Sequence, residues 1–147
     1  MPAKSADATS MVIAAMMEPA DANYMGNVHG GVIMKQIDTA AGVVATRHAG
    51  RPAVTASIDR LDFLGPIHVG DLLILKARLN LVGRTSMEVG VRVEAEDLRT
   101  GRKTHTNTSY FVMVALGEDG RPVEVPPLIL ETEEDRRRNE AARRRTL

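Results

Sequence analysis

The strongest constraint on the fold is a change of hydrophobic period part-way along the chain. Between residues 31 and 49 apolar side chains recur every three or four positions, which predicts one helix with a broad buried face. That face contains Ile33, Met34, Ile37, Ala40, Ala41, Val44, Ala45 and His48. A stop signal at residues 49–52 (Ala-Gly-Arg-Pro) follows, and the period then becomes two, which predicts strands.

Alternating segments cover residues 54–63, 73–81, 87–95 and, less regularly, 103–116. The alternation slips near Asp59-Arg60, where we predict a bulge or bend. Short turns between the later segments predict antiparallel pairing. An apolar run at residues 11–17 predicts a strand ahead of the helix. The predicted class is therefore α+β, with a long central helix wrapped by a curved antiparallel sheet of five to six strands. Its long exposed edge predicts a dimer.

The chain divides by composition into three parts. Residues 1–10 are small and polar and are predicted to be a loose leader. Residues 11–127 carry the helix and the strands and form the folded domain. Residues 128–147 form a charged C-terminal tail with Glu and Arg at helical i,i+4 spacing, predicted to be helical. Either this tail is a solvated helix or frayed end, or its six arginines bind phosphate or another subunit.

Composition argues against several classes of partner. The 19 basic and 19 acidic residues cancel, and only 3% of residues are aromatic, so neither a basic surface nor stacking platforms favour nucleic acid. No apolar run is long enough for a membrane span, and the N-terminus does not resemble a signal peptide. The chain has no Cys, and its histidines have no metal-ligand spacing. We therefore expect a cytoplasmic protein without a metal.

A glycine-rich segment, residues 27–31 (Asn-Val-His-Gly-Gly), stands directly before the helix. N–H groups of a first helical turn have no partner inside the helix and lie at the positive end of its dipole, so this segment is a candidate oxyanion site. Alternatively, Gly30 and Gly31 only let the helix pack closely on the sheet. His29 is either a base or a hydrogen-bonded loop residue.

Asp38 lies about two turns into the helix, at the border of its apolar face. Asp is unfavourable in a helix interior and costly to bury unpaired, so it is a candidate reactive carboxylate. The alternative is a carboxylate at the rim, satisfied by water or by Thr55 or Arg60. Residues 83–86 (Gly-Arg-Thr-Ser) offer a guanidinium and two hydroxyls to a phosphate, or are an ordinary hairpin turn.

These segments belong to an ordered set of motifs. The set is Asn27-Val28-His29-Gly30-Gly31, Ile37-Asp38-Thr39-Ala40-Ala41-Gly42, Val54-Thr55-Ala56, Leu61-Asp62-Phe63-Leu64-Gly65-Pro66-Ile67, Val69-Gly70-Asp71 and Val82-Gly83-Arg84-Thr85-Ser86-Met87. With them the chain resembles the acyl-CoA thioesterases of the hotdog superfamily, in particular the cytosolic acyl-CoA hydrolase branch with a single hotdog domain. The resemblance spans residues 11–126.

The resemblance implies a hotdog fold and a set of site residues. Asp38 is then catalytic, Asn27 assists it from the opposite subunit of a dimer, and Gly30 and Gly31 supply backbone donors to the thioester oxygen. The dimers are expected to assemble as trimers of dimers, a hexamer. Bound coenzyme A is expected along His29, Val54, Thr55, Ala56, Gly83, Arg84, Thr85 and Ser86. No cofactor is implied, because coenzyme A is part of the substrate and product.

The expected reaction is hydrolysis of acyl-CoA to a fatty acid and coenzyme A, by water that Asp38 activates or by direct attack of Asp38. No serine stands in a Gly-x-Ser-x-Gly elbow, so the hydrolysis does not use a serine nucleophile of that kind. Two alternatives stay open. One is a hotdog hydratase or dehydratase with His29 and Asp38 as its acid–base pair, and the other is a non-catalytic acyl-CoA sensor.

Overall fold

The structure, a computed structural model, describes residues 1–146. Its elements in chain order are β1 (Lys4–Ser5), α1 (Ala6–Thr9), β2 (Met11–Met16), a 3-10 turn (Pro19–Asp21), α2 (Gly30–Ala49), β3 (Ala53–Asp59), β4 (Leu72–Val82), β5 (Ser86–Asp97), β6 (Arg102–Ala115), β7 (Leu128–Ile129) and α3 (Glu133–Arg145). None of the helices in this part of the chain is long and apolar enough to cross a membrane.

Five strands form one antiparallel sheet in the order β2-β4-β5-β6-β3, and α2 packs on its inner face. The α+β arrangement predicted from the change of period is thereby confirmed. The buried residues of α2 are those of the predicted apolar face except Met34, which is half-buried. They meet inward-facing side chains of the sheet that include Leu73, Leu75, Val89, Val91, Phe111 and Met113.

Three irregularities in strand pairing bend the sheet around the helix. Each leaves one residue without a paired partner: Ala56 between β3 and β6, Asn80 between β4 and β5, and Thr106 between β5 and β6. Extra residues of this kind bend a strand and increase its twist. The sequence predicted a bulge or bend near Asp59-Arg60: the bulge lies three residues earlier, at Ala56, and the bend lies at Arg60.

After Asp59 the chain leaves the sheet because Arg60 adopts a left-handed backbone conformation, φ 58°. The residues that follow run as a loop, although their alternating pattern predicts a strand. Backbone bonds tie this loop to its surroundings, since Leu64 N–H donates to Thr106 O at 2.8 Å and Val28 N–H donates to Ile67 O at 2.8 Å. The second bond brings the loop beside the start of α2.

The first ten residues, predicted to be a loose leader, contain secondary structure that contacts the rest of the chain. β1 pairs in parallel with β7, and α1 follows with the Ser5 hydroxyl as its N-cap. Ala6 is fully buried. The sequence gives no sign of this order because the partner of β1 lies more than a hundred residues away.

α3 lies on the outer face of the sheet, held by buried polar contacts. Arg145 donates two hydrogen bonds to Glu88, at 2.9 and 2.8 Å, and Asn139 donates to Asn80 O at 2.9 Å. The bond from Asn139 satisfies the carbonyl of Asn80, the residue at the β4 bulge. Near the start of α3, Arg78 donates to Asp135 at 2.8 Å. α3 is thus a packed element, which differs from the solvated helix or frayed end that its charge pattern also allowed.

β3 is one of the two edge strands of the sheet, with β2 at the opposite edge, and it pairs only with β6. Its residues from 54 to 59 are all exposed, including the apolar side chains of Val54 (46%) and Ile58 (41%). An exposed edge strand with apolar side chains is a surface for pairing with another chain. The sequence predicted that an exposed sheet edge pairs with a second copy, without identifying the strand.

Candidate active site

The start of α2 presents an open backbone donor. His29 is the N-cap residue, and its Nδ1 accepts from Gly31 N–H at 2.9 Å. Gly30 N–H has no partner within residues 1–146. Of the two glycines predicted to supply donors, Gly30 is therefore the open one, whereas Gly31 N–H is already bonded.

Neither glycine is there to allow close packing with the sheet. Gly30 and Gly31 are both exposed, and a Cβ at Gly30 would have no atom within 4 Å. A Cβ at Gly31 would meet only the His29 ring, at 3.1 Å. The space outside Gly30 is thus free for a ligand, as an oxyanion site at a helix N-terminus requires.

Asp38 lies on the exposed side of α2, and its carboxylate is oriented by β3. Thr55 Oγ1 donates to Asp38 Oδ1 at 2.7 Å. The Thr55 hydroxyl also lies 3.4 Å from the Met113 sulfur on β6. Of the two neighbours predicted for this carboxylate, Thr55 bonds it; in the described part of the chain Arg60 makes no hydrogen bond or ion pair with it. A charge-assisted bond from a hydroxyl fixes the carboxylate without covering it.

The turn between β4 and β5 lies near the same end of the sheet as Thr55. Ser86 pairs with Val114, which pairs in turn with Val54. Two strand spacings, about 10 Å, therefore separate this turn from β3. Arg84, in the turn, lies 3.7 Å from Glu124, and both side chains are exposed. The predicted coenzyme A residues of the turn and of β3 share one end of the sheet.

The predicted residues of the helix start do not meet Asp38 within one chain. Eight residues of helix separate Gly30 from Asp38, about 12 Å along the axis. Asn27 and His29 lie beyond Gly30, farther still from Asp38 along the chain. One chain therefore holds two separate groups of candidate residues, one around Gly30 and one around Asp38, which we call half-sites.

Asn23 is a polar residue of the helix-start half-site that the sequence reasoning did not single out. Its Oδ1 accepts from Met25 N–H at 2.9 Å and from Asn27 N–H at 3.1 Å. Asn27 O in turn accepts from Asn23 N–H at 2.7 Å. With its oxygen occupied, the Asn23 amide has its two Nδ2 hydrogens left to donate. An asparagine in a loop rich in Asn, Asp and Gly was the available signal, but such residues usually only form turns.

No group of three or more His, Asp or Glu side chains in residues 1–146 is arranged to hold a metal ion. Among the residues singled out from the sequence, the titratable side chains at the two half-sites are the Asp38 carboxylate and the His29 imidazole.

Comparisons with known proteins match this architecture. A model of the thioesterase superfamily matches residues 25–102. An uncharacterized acyl-CoA thioester hydrolase of Bacillus subtilis, YkhA, is 44% identical over 117 residues, covering 80% of this chain and 68% of that protein. A solved hexameric acyl-CoA thioesterase has a TM-score of 0.95 at 38% identity, covering 99% of this chain and 94% of the other.

An acyl-CoA hydrolase from Staphylococcus aureus, solved with butyryl coenzyme A, coenzyme A and coenzyme A disulfide, has a TM-score of 0.91 at 34% identity, covering 99% of this chain and 88% of that one. Alanine variants of the same hydrolase replace an asparagine, an aspartate fifteen positions later and a threonine seventeen positions after the aspartate. The matched segment, the identities and the shared fold show that this chain belongs to the thioesterase superfamily and has the hotdog fold that its motifs implied.

Proposed function

We propose that this chain hydrolyses acyl-CoA thioesters to a free acid and coenzyme A. The observation that carries the proposal is the Asp38 carboxylate, which is exposed on α2 and bonded by Thr55 at 2.7 Å. A carboxylate that is oriented and open to solvent can take a proton from water as it attacks. The relatives described as acyl-CoA thioesterases and hydrolases support the same substrate class.

The reaction takes place at a site shared by two copies of the chain. About 12 Å of helix separates Gly30 from Asp38, too far for one thioester carbonyl to contact both within a chain. Pairing of two copies through the exposed β3 edges supplies the helix start of one copy to the carboxylate of the other. The composite site explains why each half is exposed in a single chain.

Two donors at the helix start polarise the thioester carbonyl. One is Gly30 N–H, which is unpaired within the described residues and lies at the positive end of the α2 dipole. The other is Asn23 Nδ2, since the Asn23 oxygen is occupied by two backbone N–H groups. Asn23, Asp38 and Thr55 also have the fifteen- and seventeen-residue spacing of the residues replaced in the Staphylococcus aureus hydrolase. Asn27, the residue predicted from the motif, supports the Asn23 turn through its backbone.

Bonds form and break as follows. The oxygen of water attacks the thioester carbon while a proton passes from the water to Asp38. The carbonyl oxygen becomes an oxyanion held by Gly30 N–H and the Asn23 amide. Collapse of this intermediate breaks the C–S bond and releases coenzyme A as a thiolate. Because an ordinary thiol has a pKa of about 8.5, the thiolate leaves without a strong general acid.

Direct attack by Asp38 is the second chemical route, through a mixed anhydride that water then opens. A single turnover in water enriched in ¹⁸O separates the two routes. Activation of water puts the label into the released acid. Attack by the carboxylate, with water then opening the anhydride at the Asp38 carbonyl, puts the label into Asp38.

The test of the proposal is Asp38→Asn, which keeps the shape of the side chain and removes the base. We expect kcat for thiol release from acyl-CoA to fall by about 10²–10⁴. Coenzyme A binding and the melting temperature should stay close to wild type. Asp119→Asn, in an exposed turn away from both half-sites, is the control. A folded Asp38→Asn enzyme that binds coenzyme A and still turns over at the wild-type rate refutes the assignment.

A matched pair of variants distinguishes the role of Asn23 from that of Asn27. Asn23→Ala removes the side-chain donor and should lower kcat by about 10²-fold, the usual effect of losing one oxyanion donor. Asn27→Ala retains the backbone groups that bond Asn23 and should lower kcat much less. If Asn27→Ala lowers kcat more than Asn23→Ala does, the oxyanion donor is Asn27. Release of free thiol from a saturated acyl-CoA also excludes the hydratase alternative, which releases none.

We also propose a hexamer, a trimer of dimers, located in the cytoplasm. The solved hexameric relative supports the assembly, and the absence of Cys fits a reducing compartment. Light scattering after gel filtration should give six times 15.9 kDa. A mass of one chain contradicts both the hexamer and the composite site.

A further inference from the structure

A cavity of about 500 Å³ lies on the outer face of the sheet, beneath α3. Strands β4, β5 and β6 form its floor, α3 forms one wall, and the start of β2 forms another. Its volume is within the range of small-molecule sites. None of Asn23, Gly30, Asp38 and Thr55 lines it, so it is separate from the proposed hydrolytic site.

The charged side chains that line this cavity are all basic. Five lysine and arginine residues face it, and no aspartate or glutamate does. The five are Lys76, Arg78, Arg92, Arg138 and Arg145. A concave surface lined by charges of one sign concentrates ions of the opposite sign.

Carboxylates behind the lining fix the guanidinium groups in place. Glu88, 4% exposed, holds Arg145 by two bonds, and Asp135 holds Arg78 at 2.8 Å. The Nε of Arg78 is buried and has no hydrogen-bond partner within the described residues. Guanidinium groups anchored on one side keep other N–H groups for a ligand on the open side, and their fork geometry suits phosphate oxygens.

Arg138 has a positive environment that an anion would relieve. Burial and the charge of Arg78 lower the pKa of Arg138, with a smaller opposing effect from Asp135. Its own ion pair, with Glu134 at 3.1 Å, is half-exposed at the rim. Thr108 and Tyr110 add hydroxyls to the floor, and the Arg145 guanidinium stacks on the Tyr110 ring at 3.5 Å. The hydroxyls supply neutral donors beside the cationic ones.

We propose that this cavity binds a diphosphate group. Each of the five cations already has a carboxylate partner, so a ligand is held by the N–H groups that these pairs leave over. The volume exceeds that of a single phosphate. Two linked phosphates contact guanidinium groups of both β4 and α3 at once. The group can come from a nucleoside diphosphate or from the diphosphate of coenzyme A bound at this second place.

The test is calorimetric titration of the full-length protein with inorganic pyrophosphate. The double variant Arg92→Gln/Arg138→Gln removes two lining charges whose own side chains are half-exposed, so the fold should survive. We expect its Kd to rise about tenfold or more. Arg144→Gln is the matched control, because Arg144 is on α3, has the same i,i+4 pairing with Glu140 and does not line the cavity. Its Kd should stay within about twofold of wild type.

Titrations with ADP and with coenzyme A identify the source of the group. Tight ADP binding that the double variant loses assigns a nucleoside diphosphate, and a second coenzyme A per chain that the double variant loses assigns coenzyme A. Undetectable pyrophosphate binding overturns the proposal. The proposal is also overturned if the double variant and Arg144→Gln weaken pyrophosphate binding equally, because equal weakening indicates non-specific charge attraction. Binding is measured without turnover, so this result is independent of the proposed hydrolysis.

Discussion

Thr55 shows how one hydroxyl sets the geometry of the proposed base. Its bond to Asp38 joins β3 to α2 at 2.7 Å. Thr55→Val keeps the shape and removes the bond. A hydrogen bond to a charged group contributes about 1.5–3 kcal/mol, so we expect kcat to fall by roughly 10- to 100-fold. The measurement is the steady-state rate of thiol release.

The control for this variant is Thr46→Val, the same exchange at an exposed position of α2. It should leave kcat and the melting temperature unchanged. A Thr55→Val enzyme with wild-type kcat means that Asp38 needs no orienting partner. Equal loss of stability and activity means that the effect is structural.

His48 makes stability depend on pH. It is fully buried, its Nε2 donates to Pro126 O at 2.7 Å, and its Nδ1 has no partner within the described residues. Burial lowers the pKa of His48, partly opposed by the bond to Pro126 and reinforced by the charge of Lys4. Below about pH 6.5 the unfolded chain binds a proton that the folded chain does not. The free energy of unfolding should therefore decrease as the pH is lowered below about 6.5, by at most about 1.4 kcal/mol per pH unit.

Urea unfolding at pH 7.5, 6.5 and 5.5 measures this slope. His48→Gln should flatten it whatever its overall cost in stability, whereas His68→Gln, at an exposed position, should leave it unchanged. A wild-type slope in His48→Gln assigns the pH dependence to other groups.

At the residue scale the sequence could single out residues 27–31 and Asp38 as candidates but could not show how each is bonded. Helix periodicity located Gly30 and Asp38, and the family resemblance implied that residues of the helix start meet Asp38 across a dimer. It could not show that His29 bonds Gly31 N–H, because histidine is not among the preferred N-cap residues. Asn23 was missed because its turn is closed by its own side chain, which requires coordinates to see.

At the scale of elements, α3 depends on buried charge pairs more than on apolar burial. Glu88 is 4% exposed and its partner Arg145 is about one-fifth exposed. Arg145→Gln leaves this carboxylate buried without its cation, so we expect a loss of about 1–3 kcal/mol in the free energy of unfolding. The double variant Arg145→Gln/Glu88→Gln removes both charges and should be more stable than the single one.

Urea unfolding with helix content as the signal measures both variants. Arg144→Gln, exposed on the same helix, should change stability by less than about 0.5 kcal/mol. If the double variant is less stable than Arg145→Gln, the pair is not the main contact of this helix end.

The packing of α3 could not be predicted from its own sequence. The Glu–Arg spacing within residues 131–147 correctly indicates a helix but also resembles a solvated one. What decides the packing is long-range: Glu88 on β5, Arg78 on β4 and the Asn80 carbonyl left by a bulge. The position of the β3 bulge is similarly hidden, because a slipped alternation does not distinguish a bulge at Ala56 from the end of a strand at Asp59.

At the scale of the whole molecule, the two half-sites predict complementation between inactive variants. Asp38→Ala and Asn23→Ala are each expected to be inactive as pure proteins. When they are unfolded together and refolded as a 1:1 mixture, half of the dimers are mixed and keep one intact site. About a quarter of wild-type activity should return.

Separate refolding followed by assay of the same total protein is the control. Activity equal to the sum of the two pure variants contradicts a site shared between copies. The hotdog fold itself follows from the change of hydrophobic period and the motifs, but the shared site depends on a partner chain that no single-chain pattern describes.

The pairing of β1 with β7 has a consequence for biosynthesis. The first strand leaves the ribosome long before its partner at residues 128–129, so this closure and the docking of α3 are late events. Until then the outer face beneath α3 is open to water. Its side chains there include Arg78, Asn80 and Glu88, which water solvates well, so the open face of a nascent chain carries hydrated groups among its apolar ones. A face of leucines would hold the finished helix as firmly and would put the unfinished chain at risk of aggregation.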